Sequence, residues 1–477
     1  MHQPTIAVIG AGFSGTVLSL RLRAVAPAGT RIVLLERSGR FGPGLAYGAA
    51  GPTHLLNAPA SRMSALATLP NDFFHWLRRR PSHPPGAGVG EDSFVPRQLY
   101  GAYLAELLEL NRRDARATTL ELVHDEVRAL STDADHLTLH CAGGRCTASI
   151  AVLAVGHAEP PVPHQAVPKL AAAGLWHNDP WLPAAMADLE PGAPVLLVGT
   201  GLTMVDAALS LLDSGRPGPI HALSRHGMLP RAHLASPVSP TILPDQLPAE
   251  PRGLLRLLRR EANTAAVAAN HRRAATAHGR TVAKHERARP PALPAALVDL
   301  LGHPSPSHAG LGGGPHRSSA SHRPAAGPRG TYCRSHPQRA GRGRYLVSPR
   351  EQQPGGAVRR ACDQLLRSGA GDAQDHRLLR SLLWDGLIRP DPLDIGLDVT
   401  PDGAVLDRAG MASDRLFAIG PLTRSTVWDG TSVPELRLHC ERMARTLSQA
   451  LSRPVASFGG APGARTNPAW LGVMSPS

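Results

Sequence analysis

Residues 6–15 of the chain read IAVIGAGFSG, an apolar run that leads directly into a glycine-rich turn. Apolar residues at helical spacing follow, and a second apolar run over residues 32–35, IVLL, ends at Glu36. Short continuous apolar runs are typical of buried parallel strands, and a helix must cross between two such strands. The stretch therefore predicts a strand–turn–helix–strand unit of an α/β fold.

The three glycines of this turn each have a physical role that another residue would fill poorly. Gly10 permits the tight turn, Gly12 lets an anion approach the main chain, and Gly15 lets the helix pack closely on its strand. The helix N-terminus then holds the anion. This spacing indicates a pyrophosphate site of a bound dinucleotide, formed by Gly10, Gly12, Phe13, Ser14 and Gly15.

Glu36 lies 21 residues beyond Gly15, at the end of the second apolar run. A carboxylate there accepts both hydroxyl protons of an adenosine ribose, which favours FAD or NAD over NADP. Glu36 and its neighbour Arg37 are therefore candidate cofactor residues. The alternative is a glycine turn in an unrelated α/β protein, which the strand before the turn, the helix after it and the spacing of the acid oppose.

A second strand–turn–helix pattern lies at residues 194–206, PVLLVGTGLTMVD, and predicts a second phosphate site at Gly199, Gly201 and Thr203. The next apolar run, residues 220–223, is followed by Arg225 where the first unit has Glu36. An arginine at this position suits a 2′-phosphate, so NADPH is favoured over NADH. Alternatively, Arg225 only ends a surface strand.

Two dinucleotide sites in one chain have a simple chemical logic, because hydride can pass from a nicotinamide to a flavin. The predicted fold is α/β, with two Rossmann-like dinucleotide-binding domains and the NAD(P)H domain inserted in the FAD domain. Residues 1–165 are the first part of the FAD domain, 185–285 the NAD(P)H domain, and 370–450 the return to the FAD domain with a C-terminal helix. Residues 451–477 are predicted to be a disordered tail.

Two further apolar segments end in glycine turns that the FAD domain would use. Residues 151–155 form a buried strand that ends at Gly156. Residues 416–421, LFAIGP, form another, and a helix is expected to begin near Ser432. Gly156, Gly420 and Pro421 are therefore candidate cofactor residues, and the helix N-terminus could stabilise negative charge on a reduced flavin. An ordinary capped helix is the alternative.

The tract from residue 286 to 368 has an anomalous composition. Between Gly302 and Arg344 the only large aliphatic residue is Leu311, while Gly, Pro, Ser, His and Arg dominate. Such a tract cannot bury a core. Three explanations compete: a disordered insertion, a basic interaction arm, or translation in a shifted reading frame of GC-rich DNA, which the composition and abrupt edges favour.

The charge distribution and the cysteines exclude several classes of protein. Of the net charge of +14, eight units come from arginines between Leu301 and Arg350, a segment without Asp, Glu or Lys. This localised excess, without interleaved aromatic residues, argues against nucleic-acid binding. The five cysteines are scattered and odd in number, so neither a disulfide framework nor a metal site is expected. Cys141 and Cys146 are interpreted as ordinary residues of a hairpin.

No stretch of about 18 apolar residues appears in the sequence, so no transmembrane helix is expected. The first predicted strand begins by Ile6, which leaves no room for a signal peptide. We therefore expect a cytoplasmic protein.

The chain resembles the two-dinucleotide-binding flavoproteins, and most closely the bacterial FAD/NAD(P)-binding family that includes FAD-dependent urate hydroxylase-like proteins. It is also related in this way to flavin N-hydroxylases and Baeyer–Villiger-type monooxygenases. Besides the two glycine motifs, the resemblance rests on residues 44–48 (GLAYG), 54–59 (HLLNAP), 94–100 (FVPRQLY) and 155–157 (VGH). The tract at 286–368 departs from the family, which continues there as globular sequence.

The resemblance implies that Asn57, Ser61, Arg97 and Gln98 lie along the flavin, with Gly420 and Pro421 at its phosphate and ring side. From the residues alone, Asn57 could equally be a turn residue before Pro59. Arg97 could be a surface cation that pairs with Glu91 or Asp92. His157 and Tyr47 are candidates only for the environment of the flavin.

The expected activity is that of an FAD-dependent NAD(P)H oxidoreductase, a monooxygenase that uses oxygen to hydroxylate a small molecule. No Ser/His/Asp arrangement or metal-ligand spacing competes with this interpretation. Two alternatives stay open: an NAD(P)H dehydrogenase or oxidase of the same fold, and a flavin-binding non-enzyme or inactive product of a disrupted gene. The sequence indicates neither the substrate nor the oligomeric state.

Overall fold

The computed structural model describes most of residues 3–156 and 376–452 and parts of the chain between these two segments. The described residues are 3–80, 89–133, 135–156, 173–177, 179–181, 185, 189–215, 218–224, 229–232, 248, 250, 252–257, 307–308, 345–347, 376–392, 395–427 and 430–452.

The helices and strands are numbered in chain order. The strands are β1 (Thr5–Ile9), β2 (Arg31–Leu35), β3 (Thr119–Val123), β4 (Val127–Thr132), β5 (Leu137–Cys141), β6 (Arg145–Ala148), β7 (Ile150–Leu153), β8 (Trp176–His177), β9 (Val195–Val198), β10 (Ile220–Leu223), β11 (Arg231–Ala232), β12 (Ser307–His308), β13 (Tyr345–Val347), β14 (Ala404–Leu406) and β15 (Ala412–Ala418). The α-helices are α1 (Phe13–Val25), α2 (Gly44–Gly48), α3 (Asp72–Arg78), α4 (Arg97–Arg113), α5 (Leu202–Asp213), α6 (Arg377–Asp385) and α7 (Val433–Ser452).

The main sheet has six strands in the order β14-β15-β7-β1-β2-β3. Its strands from β15 to β3 are all parallel, and β14 pairs with β15 in the antiparallel sense. Alternate residues of β1 face opposite layers, since successive side chains of a strand point to opposite faces. Ile6 and Val8 pack in the cluster that contains α1, α4 and α7, whereas Ala7 and Ile9 pack in the cluster that contains β4, β5 and α6. The predicted α/β architecture is confirmed.

The C-terminal segment completes this sheet. β15 pairs with β7, and α7 packs beside α1. Glu441 of α7 forms an ion pair with Arg21 of α1 at 2.5 Å, and the Ser448 hydroxyl donates a hydrogen bond to the Val25 carbonyl at 2.8 Å. The chain therefore leaves the main sheet after β7 and returns to it at β15.

A second, smaller sheet is formed from the residues between these two strands. Its order is β10-β9-β13-β8, with β9 and β10 parallel and β13 antiparallel to β9 and β8. Helix α5 connects β9 to β10 and packs Ala207 and Leu211 against Val195 and Leu197. The second strand–turn–helix–strand unit is thus inserted in the first, as the sequence predicts.

Several local predictions can be compared with the described residues. Cys141 and Cys146 lie on the antiparallel neighbours β5 and β6, which confirms the hairpin. Helix α7 begins at Val433, one residue after Ser432, and continues through Leu451 and Ser452 into the segment predicted as a tail. Most of the tract at 286–368 lies outside the described residues, except for the short strands β12 and β13. None of the described helices is long and apolar enough to cross a membrane.

Candidate functional site

The glycine turn after β1 has the geometry that the sequence predicts. Gly10 has a φ of 102°, a left-handed value that favours glycine, and a Cβ there would lie 2.5 Å from the Ala154 carbonyl oxygen. A Cβ on Gly15 would lie 1.9 Å from the Gly10 carbonyl oxygen. Both glycines are therefore required by the packing of the protein itself.

Gly12 differs from the other two glycines. It has an extended backbone, with a φ of −74°, and the nearest atom to a Cβ built on it is the Gly44 Cα at 3.6 Å, an ordinary contact. The protein leaves room for a methyl group here. Internal packing therefore does not require glycine at this position, in agreement with the sequence-based expectation that Gly12 leaves room for an anion.

The N-terminus of α1 is a suitable place for an anion. The helix begins at Phe13 with Gly12 as its N-cap, and no side chain caps it. The end of β15 also reaches this point, because Gly420, with a φ of 86°, would place a Cβ 2.9 Å from the Ser14 Oγ. Pro421 follows in the 3₁₀ turn Gly420–Thr423. Ser14 and Gly420, both predicted cofactor residues, thus lie together at a helix N-terminus, the end that attracts negative charge.

Glu36 ties the end of β2 to the glycine turn. Its Oε2 accepts the Ala11 N–H at 2.9 Å, and its Oε1 accepts the Ser38 N–H at 2.9 Å and the Ser38 hydroxyl at 2.8 Å. The side chain is only partly buried, and Arg37 beside it is exposed. Glu36 therefore stands at the edge of the turn as a fixed acceptor, where an adenosine ribose is expected.

We expect Glu36→Gln to weaken FAD binding about tenfold, since one charged acceptor is worth about 1.5 kcal/mol more than a neutral one. Fluorescence titration of FAD-free protein measures this. Glu126→Gln, which alters a surface ion pair with Arg128, is the control and should bind FAD as the wild type does. An unchanged affinity in Glu36→Gln would contradict the assignment of this carboxylate.

Helix α2 covers the glycine turn. Gly44, with a φ of 55°, would place a Cβ 2.7 Å from the Gly12 Cα, and the Gly42 N–H donates to the Ala11 carbonyl at 2.9 Å. Tyr47 of α2 meets Tyr100 of α4 edge-on at 4.7 Å between ring centroids. Burial raises the pKa of Tyr47 to about 12, while the charge of Arg97 acts in the opposite direction. Tyr47 therefore stays a neutral phenol near Arg97.

The remaining flavin candidates lie near the start of α4. The Gln98 Nε2 donates to the Ala50 carbonyl at 2.7 Å, and the Ser61 N–H donates to the Glu91 carbonyl at 3.0 Å. Asn57 is exposed. Leu55 and Pro96 form an isolated antiparallel bridge that holds the two segments together. The motifs at 54–59 and 94–100 are thus neighbours in space, as the resemblance implies.

Arg97 does not form the surface pair that the residues alone suggest. Its Nη2 lies 2.9 Å from the Asp206 Oδ2, and its Nε donates to the Leu55 carbonyl at 3.0 Å. The Arg97 side chain is 17% exposed and that of Asp206 is fully buried. The alternative pairing with Glu91 or Asp92 is therefore wrong, because α5 of the second unit packs against the start of α4 and supplies the carboxylate.

His54 joins the same contact, a role that the sequence analysis missed. Its Nδ1 accepts the Gly51 N–H at 2.9 Å, so Nε2 carries the proton and donates to the Ser210 Oγ at 2.7 Å and the Asp206 carbonyl at 3.0 Å. Ser210 follows Asp206 by four residues and so lies on the same face of α5. That spacing was the available signal, but it does not say which residue lies opposite.

Burial lowers the pKa of His54 from its ordinary value of 6.5, and the Arg97 charge acts in the same direction against Asp206 and Asp213. Since the folded-state pKa is the lower one, the unfolded chain binds the proton more readily. The stabilisation by neutral His54 is therefore complete above pH 6.5 and is lost as the pH falls toward the lowered pKa.

We expect the melting temperature to fall as the pH is lowered below 6.5, and His54→Gln to reduce this dependence. Glutamine retains an amide donor for Ser210 but does not titrate in this range. Scanning calorimetry between pH 5 and pH 8 measures the difference, with His140→Gln at a half-buried strand position as the control. Identical pH profiles for wild type and His54→Gln would contradict the prediction.

The second glycine turn repeats the first in detail. Gly199 has a φ of 102°, as Gly10 does, and its N–H donates to the Leu223 carbonyl at 2.7 Å, as that of Gly10 does to Leu35 at 2.8 Å. Gly201 is the N-cap of α5, no side chain caps it, and nothing lies within 4 Å of a Cβ built there. Thr203, in the first turn of α5, is buried. The turn offers a second helix N-terminus to an anion.

The remaining candidate cofactor residues are Arg225, His157 and Gly156. Arg225 and His157 lie outside the described residues. Gly156 has a φ of 79° and follows β7, with nothing within 4 Å of a Cβ built on it. Within the described ranges, no three His, Cys, Asp or Glu side chains lie together as metal ligands. In the same ranges Cys141, Cys146 and Cys440 are free thiols.

Comparison with protein families identifies the first part of the chain. Residues 7–158 match the family model described as FAD-NAD(P)-binding. This range begins in β1, ends after Gly156 and contains the first glycine turn, α2 and the start of α4. The region is therefore an FAD/NAD(P)-binding domain.

Two curated proteins are similar to about a third of the chain. An L-aspartate N-monooxygenase (nitrosuccinate-forming) from Streptomyces cremeus is 34% identical over 165 residues, 31% of this chain and 24% of that protein. The nitrosuccinic acid synthase npaA from Aspergillus oryzae is 35% identical over 142 residues, 28% of this chain and 21% of that protein. The match thus spans about a quarter of the length of these relatives.

Solved structures resemble the chain weakly. The bacillithiol disulfide reductase Bdr from Bacillus cereus has a TM-score of 0.45 at 13% identity. The match covers 94% of this chain and 99% of the reductase chain. A flavin-containing monooxygenase from Stenotrophomonas maltophilia has a TM-score of 0.30 at 19% identity. The match covers 47% of this chain and 58% of the monooxygenase chain.

Proposed function

We propose that this chain is a cytoplasmic FAD-dependent monooxygenase that takes its electrons from NADPH and oxygenates a small molecule. The observation that carries the proposal is the repetition of one phosphate-binding geometry, at Gly10 and at Gly199, in two units of which the second is inserted in the first. One dinucleotide site alone would serve a dehydrogenase with a separate substrate domain. Two sites serve an enzyme in which one dinucleotide reduces another.

The first unit fits FAD. Room at Gly12, the N-terminus of α1 and the approach of Gly420 to Ser14 form a cradle for a pyrophosphate. Glu36 and Arg37 stand where the adenosine ribose is expected. Asn57, Ser61, Arg97, Gln98, Gly156 and Pro421 are proposed to lie along the rest of the cofactor. When bound, FAD accepts hydride and activates oxygen, so the chain itself needs no catalytic triad.

The second unit fits NADPH. Gly199, Gly201 and Thr203 are proposed to bind its pyrophosphate at the N-terminus of α5, which no side chain caps. Arg225, which follows the last residue of β10 by two positions in the sequence, is proposed to bind the 2′-phosphate. NADH lacks this phosphate and is expected to be the poorer reductant.

The names of the curated relatives support an amine as the substrate class. The first name denotes the N-oxygenation of L-aspartate to nitrosuccinate, and the second denotes the synthesis of nitrosuccinic acid. We therefore propose L-aspartate and related amino acids as the first substrates to test. An oxygenation of this kind requires a site that excludes water, so that the activated oxygen reaches the substrate and is not released as peroxide.

The test begins with the purified protein. A flavin absorption spectrum that is bleached by anaerobic NADPH supports both dinucleotide sites. Consumption of NADPH that L-aspartate accelerates, with an N-oxygenated product and little peroxide, supports the monooxygenase. Oxidation of NADPH with release of peroxide, unaffected by any amino acid, would favour an oxidase of the same fold. A bound flavin that NADPH leaves oxidised would restrict the protein to flavin binding.

A further inference from the structure

We propose that Arg97, His54, Asp206 and Ser210 form a latch that docks helix α5 of the second unit onto the first unit and so sets the distance between the two dinucleotide sites. The proposal rests on the proposed function for its consequence in hydride transfer. The existence of the latch depends only on contacts between described residues.

In the part of the chain that the structure describes, the two units joined by the latch have separate apolar cores. Val195, Leu197, Ala207 and Leu211 form the core of the second unit, whereas the main sheet packs in two other clusters. Among the described residues, polar contacts join α5 to the first unit: Arg97 to the Asp206 carboxylate, and His54 to the Asp206 carbonyl and the Ser210 hydroxyl. Polar contacts of defined direction fix an orientation, whereas apolar surfaces can slide.

Burial makes this contact directional and sensitive to its partners. The Asp206 side chain is fully buried and His54 is 3% exposed. A buried carboxylate is stable only with its partners in place, so the second unit cannot move away without taking the charge of Asp206 into water or leaving it uncompensated. At the exposed rim, the Thr53 hydroxyl donates to the Asp213 Oδ2 at 2.7 Å, which extends the same contact along α5.

Each side of the latch is tied to a predicted cofactor site. Asp206 lies in the second turn of α5, whose N-terminus follows Gly201, so its position fixes the second phosphate site. On the other side, the Arg97 N–H donates to the His54 carbonyl at 2.8 Å, and α4 continues from Arg97 to Gln98 and Tyr100. A displacement at the latch is therefore transmitted to both sites through rigid helices.

The consequence for the reaction concerns geometry. Hydride transfer requires the reacting atoms to approach to about 3–3.5 Å, and a misplacement of about 1 Å costs on the order of 100-fold in rate. His54, Asp206 and Ser210 are thus positioning residues, which act through the orientation of α5 and need not touch a cofactor.

The central variant is Asp206→Asn, which preserves the shape of the side chain and removes its charge. In anaerobic stopped-flow reduction we expect the limiting rate of flavin reduction to fall by about 100-fold while the affinity for FAD stays within about twofold. Glu109→Gln, at an exposed ion pair on α4, is the matched control and should leave the rate unchanged. A wild-type limiting rate in Asp206→Asn would overturn the proposal.

Hydrogen–deuterium exchange tests the latch without flavin or NADPH. We expect Asp206→Asn to increase exchange both in residues 202–213 and in residues 51–57, because the two segments protect each other across the contact. Increased exchange in 202–213 alone would show only local damage to α5 and would overturn the proposal. This measurement decides the latch even if NADPH fails to reduce the wild-type flavin, an outcome that would refute the proposed function instead.

Ser210→Ala provides a milder second variant, which keeps the test available if Asp206→Asn does not fold. It removes only the hydroxyl that accepts from His54, so we expect a smaller increase in exchange over the same two segments and a reduction rate lowered by about threefold to tenfold. In addition, the double variant His54→Gln/Ser210→Ala should reduce flavin no more slowly than the slower of the two single variants. Additive losses would show that the two residues act independently and would overturn the latch.

Discussion

Gly15→Ala is expected to destabilise the first dinucleotide unit by about 3 kcal/mol or more and to abolish FAD binding, because the new methyl group meets a backbone atom that cannot move freely. The Cβ would lie 1.9 Å from the Gly10 carbonyl oxygen and 3.3 Å from the Ala154 Cβ. Gly10 is held in turn by its hydrogen bond to the Leu35 carbonyl. The turn and α1 therefore have to separate.

Gly12→Ala is the matched variant in the same turn. Its methyl group meets only the Gly44 Cα at 3.6 Å, and its extended backbone is open to alanine. We expect a free energy of unfolding within about 1 kcal/mol of the wild type, but FAD affinity lowered roughly 100-fold, because the methyl group would occupy the proposed place of the pyrophosphate. Thermal unfolding of FAD-free protein and FAD titration together measure both effects.

The pair of variants separates a structural glycine from a ligand-binding one. If Gly12→Ala binds FAD as the wild type does, the pyrophosphate does not approach this turn, and the assignment of the first site is wrong. If Gly15→Ala folds with wild-type stability, the close packing of α1 against the turn is wrong.

Arg23→Met is expected to lower the stability of the first unit by about 3 kcal/mol, which corresponds to a melting temperature lower by roughly 6–12 °C. Arg23 is 5% exposed, and its guanidinium donates hydrogen bonds to the Asn111, Asp114 and Thr118 carbonyls. These carbonyls belong to the end of α4 and the segment before β3. Methionine fills the volume but leaves the three acceptors without this donor.

Arg113→Met is the control, since Arg113 pairs with Glu109 at the surface of the same helix end. Its melting temperature should equal that of the wild type within error. Equal melting temperatures for Arg23→Met and the wild type would mean that water satisfies the three carbonyls, and that Arg23 does not join α1 to the end of α4.

Much of the fold could be predicted because its signals are local. The apolar runs before Gly10 and Gly199 are strands, the spacing after them is helical, and these two glycines lie where the backbone takes left-handed values. Cys141 and Cys146 lie on paired strands because the short segment between the strands, with Gly143 and Gly144, turns the chain. The return of the chain at β15 was also predictable, since residues 416–419 form a buried apolar run that must join a sheet.

The contact between the two units could not be predicted in this way. The acids nearest to Arg97 along the chain are Glu91 and Asp92. The residues alone therefore favoured one of these two as its partner. Asp206, 109 residues later, was known only as part of a glycine motif. Burial of that carboxylate, and hence its need for Arg97, follows from the packing of α5 against the start of α4.

The sequence by itself determined the two strand–turn–helix units and the insertion of one unit in the other, because these depend on backbone sterics and on the burial of contiguous apolar residues. Only the tertiary structure decided which glycine is needed for packing and which leaves room for a ligand, and which side chains hold the two units together. The physical reason is that a Cβ contact, a buried ion pair or the tautomer of His54 depends on atoms that are distant in the chain and meet only when the sheets are assembled.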